Sequence, residues 1–208
     1  MKNKEEIKNN IKSVPYINKV IFFNKISLII NSILTISKVI LAIIFKDLFI
    51  GLASCYYFFI VCDKLCFYYG KKKDNKKLED SKLFLLMTIF LFIGSLFYLA
   101  YWVNALVGES INIKYSKLQF IIYFIIYIIE TIFSIRGLSF FNKNKDMLLG
   151  GIKFVNLSIS ISAFFNLIII ILCTFKGLSN YYFINFNGVI IAIIMYIIYF
   201  KKYRKPKK

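Results

Sequence analysis

Apolar residues fill almost every stretch between clusters of basic ones, in runs that are continuous rather than alternating. Six such runs read as helices, over residues 26–45, 48–70, 83–103, 117–139, 152–174 and 183–200. A hydrocarbon core of about 30 Å takes roughly 20 helical residues to cross. Lipid offers the backbone no hydrogen-bond partners, so a segment of this kind satisfies its amides internally as a helix. The pattern therefore predicts an all-α membrane protein of six transmembrane helices, arranged as three hairpins over about 25–70, 82–140 and 152–202.

Composition fits that class. The chain is 59% hydrophobic over 208 residues, with a mean hydropathy of +0.69, well above a soluble domain of this size. Three parts are expected: a basic N-terminal segment (1–25), the six-helix domain (26–200) and a basic tail (201–208). The start lacks a compact apolar core ending in small residues, so the first membrane helix is expected to act as an uncleaved insertion signal. Ile7, Ile11 and Val14 stand at helical spacing before Pro15. The N-terminal segment thus reads either as a short amphipathic helix on the inner surface or as a solvated tail.

A formal net charge of +18 raises nucleic-acid binding, but the position of the charges argues for a membrane. Lys2 to Lys25 precede the first run, Lys71 to Lys82 separate the second and third, Arg136 to Lys153 flank the fourth connection, and Lys201 to Lys208 close the chain. With alternating helices these clusters share one face. The opposite face holds only Lys46, Lys114, Lys117 and Lys176. The bias puts both termini in the cytoplasm of a multi-pass cell-membrane protein, with anionic lipid headgroups as partners at that face and no nucleic acid. Tyr101, Trp102, Tyr181 and Tyr182 at outer ends, and Tyr68, Tyr69, Tyr199 and Tyr203 at inner ends, read as interfacial belts.

Candidate chemistry lies in polar residues within the runs. Asn31, Thr35, Lys38 and Ala42 share one face of the first helix, and Tyr123, Tyr127, Glu130 and Ser134 one face of the fourth. In the second, Gly51, Cys55, Cys62 and Cys66 form a stripe with Asp63 and Lys64 beside it; the fifth carries Asn156, Ser160, Ser162, Ala163 and Asn166. Helices 3 and 6 have little comparable, so 1, 2, 4 and 5 are expected to form the inner bundle and 3 and 6 its flanks.

A charge inside a membrane helix costs at least about 2.5 kcal/mol and needs a partner. At 1.5 Å per residue, Lys38 lies about 20 Å from the inner end of its helix, Glu130 about 15 Å and Asp63 about 10 Å. Lys38 and Glu130 are the closest in depth and are expected to pair, while Lys64 is expected to snorkel to the inner headgroups. Glu130 with Lys38 or Asp63 then reads as a proton- or cation-coupling site, with Asn31, Asn156 and Asn166 along the pathway. The alternative is a buried pair that fixes helix register.

Cys55, Cys62 and Cys66 form a weak candidate for a soft metal against the reading of cysteine as a small apolar residue; no cofactor is expected. The chain has no His, which removes imidazole general-base chemistry and His-ligated zinc. It has no phosphate-binding glycine pattern either. The protein is read as no enzyme.

Local wording carries one resemblance. Asn31-Ser32-Ile33-Leu34-Thr35-Ile36-Ser37-Lys38, the stretch Leu48 to Asp63, and Asn185-Phe186-Asn187-Gly188-Val189-Ile190 resemble the first, second and sixth helices of the transmembrane domain of the cation diffusion facilitator family. The resemblance implies six helices with both termini inside and polar stripes on helices 1, 2, 4 and 5. The family's metal site uses Asp and His on helices 2 and 5, where this chain has Tyr56, Ile60 and Asp63, then Phe154, Asn156 and Ser158. It therefore implies a divergent member without zinc transport, and no ligand residues carry over.

Two functions follow. One is a small permease-like transporter of an ion or small solute, not of zinc. The other is a non-transporting accessory, assembly or immunity-type protein. The protein partner expected is a second copy, as in a dimeric transporter, or a membrane partner protein. Reporter fusions or impermeant cysteine labelling should place Met1, Lys73, Lys145 and Lys208 in the cytoplasm and the loop around Glu109 outside. Labelling of Lys73 from outside with Glu109 protected would overturn the topology.

Overall fold

The structure, a computed structural model, describes residues 2–72, 77–107, 115–138, 146–176 and 187–203. All the secondary structure among them is helical: α1 (Lys2–Phe45), α2 (Leu48–Lys72), α3 (Lys77–Val107), α4 (Lys117–Leu138), α5 (Met147–Lys176) and α6 (Asn187–Tyr203). α1 to α5 each contain a stretch long and apolar enough to cross a membrane, which makes this an all-α protein of membrane-spanning type. α6 is shorter, an apolar helix of 17 residues. The sixth run was expected from 183; residues 183–186 lie outside the described residues, as do Tyr181, Tyr182 and the side chains of Tyr101 and Trp102. α1 runs unbroken through Pro15, which forfeits a backbone hydrogen bond without ending the helix. The N-terminal segment therefore continues the first span as one helix.

The helices stack as three antiparallel pairs. α1 packs on α4, α2 on α5 and α3 on α6. Three contacts fix the directions. Phe45 at the end of α1 meets Tyr123 near the start of α4, their ring centroids 6.2 Å apart. Lys71 at the end of α2 forms an ion pair with Asp146, the residue before α5. Gly188 at the start of α6 lies against Ser95 in the second half of α3.

α2 and α5 form the middle layer, joined to one side by α1·α2 and α4·α5 contacts and to the other by α2·α3, α3·α5 and α5·α6. The expected order of layers changes in consequence. In its most apolar stretch α1 is only 17% buried, whereas α3 reaches 39% and α5 56%. α1 and α4 thus form an outer layer as lipid-facing as any, with Ile29, Ile33, Ile36, Ile40, Ile121, Ile125 and Ile132 on its exposed side. Nor, among the described residues, do α3 and α4 share a substantial packing face, so the hairpin expected over 82–140 is not found there.

The contacts of α1–α3 with one another and with their counterparts in α4–α6 describe two three-helix halves of opposite sense. No residue-level repeat accompanies them, so the relation is one of topology. Their junction is filled by Ile50, Ala53, Tyr56, Tyr57 and Ile60 of α2 against Val155, Ile159, Ala163 and Ile170 of α5, all buried.

The first described residue of α6 lies well inside this stack. The Asn187 side chain hydrogen-bonds Ser158 and Ser162, near the middle of the α5 span. A Cβ on Gly188 would come within 2.0 Å of Ser95 Oγ and 3.0 Å of its Cβ, whereas one on Gly150 would meet nothing within 4 Å. Gly188→Ala should therefore cost about 1–3 kcal/mol by forcing α6 off α3, and Ser95→Ala in the same chain should recover part of it. Gly150→Ala should be neutral or stabilising by up to about 1 kcal/mol. Thermal unfolding in detergent measures both; equal Tm values for the two alanine variants would contradict the close packing.

Candidate functional site

Residues at three- and four-residue spacing place Asn24, Ser27, Asn31, Thr35 and Lys38 on one buried stripe of α1. The facing stripe on α4 is Tyr123, Tyr127, Glu130 and Ser134, all buried. The Lys38 Nζ donates to Glu130 Oε1 at 2.5 Å, with both side chains essentially excluded from solvent. The pair expected from stripe and depth is thus present, and the structure adds aromatic walls to it. The ammonium sits 3.2 Å from the Tyr57 ring centroid and 4.7 Å from that of Tyr127, and the Tyr57 hydroxyl lies against the Glu130 carboxylate. Cation–π contacts of this kind gain strength when desolvated. The ammonium thus bonds Glu130 Oε1, while Oε2 finds no hydrogen-bond partner in the protein.

α2 turns differently from expectation. The cysteine stripe is its half-buried side: Cys55, Cys62 and Cys66 are free thiols of intermediate exposure. The core side is Tyr56, Tyr57, Ile60, Asp63, Lys64 and Phe67, all at most 1% exposed. The reason is energetic. Facing Asp63 or Lys64 to lipid costs several kcal/mol, whereas a thiol is a small apolar group that lipid tolerates. Lys64 accordingly does not snorkel to the inner surface; its Nζ donates to Ser27 Oγ of α1 at 2.5 Å. Among the described residues, no group of three His, Cys, Asp or Glu side chains is placed to hold a metal ion.

Hydroxyl and amide groups extend the site through α5 and α6. Ser160 bonds Ser134 of α4 at 2.8 Å. Tyr56 and Ser158 share a hydrogen bond of 2.7 Å, Ser158 donates to Asn187 Oδ1 at 3.0 Å, and Asn187 Nδ2 donates to Ser162 at 3.0 Å. Sequence patterns pick out the serines by spacing; nothing in them ties Tyr56 to Asn187, because that link spans three helices.

Not every buried polar group finds a protein partner. Both carboxylate oxygens of Asp63, Nδ2 of Asn31 and both side-chain polar atoms of Asn156 have none, although these residues are at most 2% exposed. Asn166 is also fully buried on α5, nearer the C-terminal end of that helix. Buried polar atoms in folded proteins nearly always find protein or water to bond, so such a cluster marks a place where something beyond the protein's own groups completes the contacts.

Each end of α2 is tied down by a buried or half-buried acid. At the outer end Lys46 takes a positive φ of 51°, which turns the chain so that Asp47 caps α2 by accepting from the Ile50 amide at 3.2 Å. Burial pushes the Asp47 carboxyl above its ordinary range, opposed by the α2 amides and by the hydroxyls of Tyr115 and Tyr123. At the inner end the Lys71–Asp146 ion pair ties α2 to α5, and Asp146 also caps α5 through the Leu149 amide at 3.2 Å.

Comparison with protein-family models and with characterised proteins finds no match to this chain.

Removing one partner of a buried pair strands a charge at a cost of about 3–5 kcal/mol, while removing both is often neutral. Lys38→Met and Glu130→Met should each lower the yield of monodisperse protein sharply, and the double replacement should recover most of it. Additive losses in size-exclusion chromatography would show that the two residues do not act as a pair.

Proposed function

We propose that this chain is a small permease-like transporter, moving an ion or small polar solute through the core between α1, α2, α4 and α5. The observation that carries the reading is the set of buried polar atoms without protein partners, on Asp63, Asn31 and Asn156. They belong to a polar column that runs from Asn24 near the inner end, past Lys38 and Glu130, to Asp47 at the outer end. A packing device has no use for such groups. Each unsatisfied polar atom in an apolar core costs free energy, and intramembrane ionisable residues mark ion or solute pathways by default. Two halves of opposite sense meeting at this column follow the plan of transporters whose site lies where inverted repeats join. The resemblance to the cation diffusion facilitator transmembrane domain points the same way. The absence of His at the positions of that family's ligands argues against zinc as cargo. In this reading the protein sits in the cell membrane with both termini in the cytoplasm, its basic clusters against anionic headgroups.

A second reading, a non-transporting accessory, assembly or immunity-type protein, draws on the aromatic packing of Lys38–Glu130, which suits a fixed structural pair.

Cysteine accessibility separates the two. In a chain with Cys55, Cys62, Cys66 and Cys173 replaced by Ser, Asn31→Cys and Asn156→Cys should react with a membrane-impermeant cationic thiosulfonate from at least one side in proteoliposomes. Ile33→Cys, on the lipid side of α1, should stay unreacted. If neither core position reacts from either side, the column is dry and the transporter reading is lost.

A further inference from the structure

The two buried acids of the core differ in their surroundings: Glu130 has one bonded oxygen and Asp63 has none. Glu130 is bonded by Lys38 and walled by Tyr57 and Tyr127. Asp63 is 0% exposed and neither of its oxygens has a protein partner. The nearest cation, the adjacent Lys64, lies within electrostatic range of both Asp63 and Glu130, yet its hydrogen bond goes to Ser27. One helix step turns a side chain by about 100°, so neighbours in sequence do not face each other. Ser27 keeps Lys64 on its own side.

Depth groups Asp63 with other unpartnered atoms. The Lys64–Ser27 contact sets its height against α1, and the Tyr56–Ser158 and Lys71–Asp146 contacts bracket it against α5. At 1.5 Å per residue, Asn31 and Asn156 then lie within about 6 Å of Asp63 along the bundle axis. The layer offers one carboxylate, amide donors and amide acceptors, all buried.

We propose that Asp63 is the proton-exchanging carboxyl of this core, with Ser27 as the positioning residue that keeps Lys64 from pairing with it, and that Lys38–Glu130 is a fixed bolt. The proton joins a carboxylate oxygen of Asp63 from one aqueous side and leaves that oxygen toward the other. A hydrated proton suits the layer because water accepts and donates at once, matching both kinds of amide atom. A divalent metal does not, since one carboxylate beside a lysine leaves it short of anionic ligands. The inference rests on the transport reading and names its coupling ion.

The ionisable groups around Asp63 are few. On α2 they are Lys64, Tyr56, Cys62 and Cys66, the two thiols on the half-buried side. α1 contributes Lys38, α4 Glu130 and α5 the partly exposed Lys153. Asp80 and Lys82 of α3 lie near its inner start.

Infrared titration of the full chain in lipid reads the proposal without a known cargo. A carboxylic-acid carbonyl band should rise and fall with pH, vanish in Asp63→Asn and persist when Lys38 and Glu130 are both replaced by Met. Ser27→Ala frees Lys64 to approach and should move the midpoint down by about one pH unit, the size of shift an added neighbouring charge produces. This second variant carries the assignment if Asp63→Asn fails to give monodisperse protein. A band unchanged by Asp63→Asn, a midpoint unmoved by Ser27→Ala, or no titrating band at all would overturn the proposal. A band assigned to Asp63 while Asn31→Cys and Asn156→Cys stay unlabelled would overturn transport and leave the proton site standing.

Discussion

A lysine and a glutamate on separate helices meet 2.5 Å apart in a layer sealed from solvent, and the arrangement around them follows from the cost of doing otherwise. Neither charge can face hydrocarbon, so α1 and α4 must turn these faces toward each other. With Lys38 and Glu130 in contact, the antiparallel register of α1 and α4 is set, and it brings Phe45 onto Tyr123 seven residues further along each helix. Their exposed faces are then left to Ile33, Ile36, Ile40, Ile121, Ile125 and Ile132, which lipid accepts.

The same cost decides the rotation of α2. Seen as residue types, its cysteines form a tidy small-residue stripe, and a soluble-protein reading would bury them. In lipid the comparison is between exposing thiols and exposing Asp63 with Lys64. The charged residues win the interior, and the tyrosines beside them bring hydroxyls that α5 answers with Ser158 and Ser162. One dominant energy term thus sets the rotation of a helix whose apolar residues carry almost no directional signal.

What could be read from the chain follows from which interactions are local. Continuous apolar runs and basic clusters are local, so five long helices lie close to where the pattern puts them; the Lys38–Glu130 pair was legible because stripe and depth are both properties of single helices. The order of the layers was not. α3 and α6 do form a flank, but so do α1 and α4, whose polar stripes suggested an inner place. Of these outer helices α3 is more buried than α1 or α4, because small residues permit close approach. Gly94 lies against Phe59 and Gly151 against Phe84, which draws α3 onto α2 and α5. For α6 the unbroken apolar run located the helix, but the bonds from Asn187 to Ser158 and Ser162 join separate helices and leave no local trace.

The contrast between the two buried acids bears on how such a core works. An acid bonded on one side by an ammonium and enclosed by two aromatic rings changes its proton only by breaking contacts that hold two halves of the molecule together. An acid without partners exchanges a proton and leaves the scaffold untouched. Lys38–Glu130 joins α1 to α4, one helix from each half, so its loss would loosen the halves from each other. Asp63 lies on α2, in the layer where the halves also meet, but bonds to neither. Fixed charge for assembly and free charge for exchange are separate requirements, and a core of four buried charges on three helices can meet both only by dividing them.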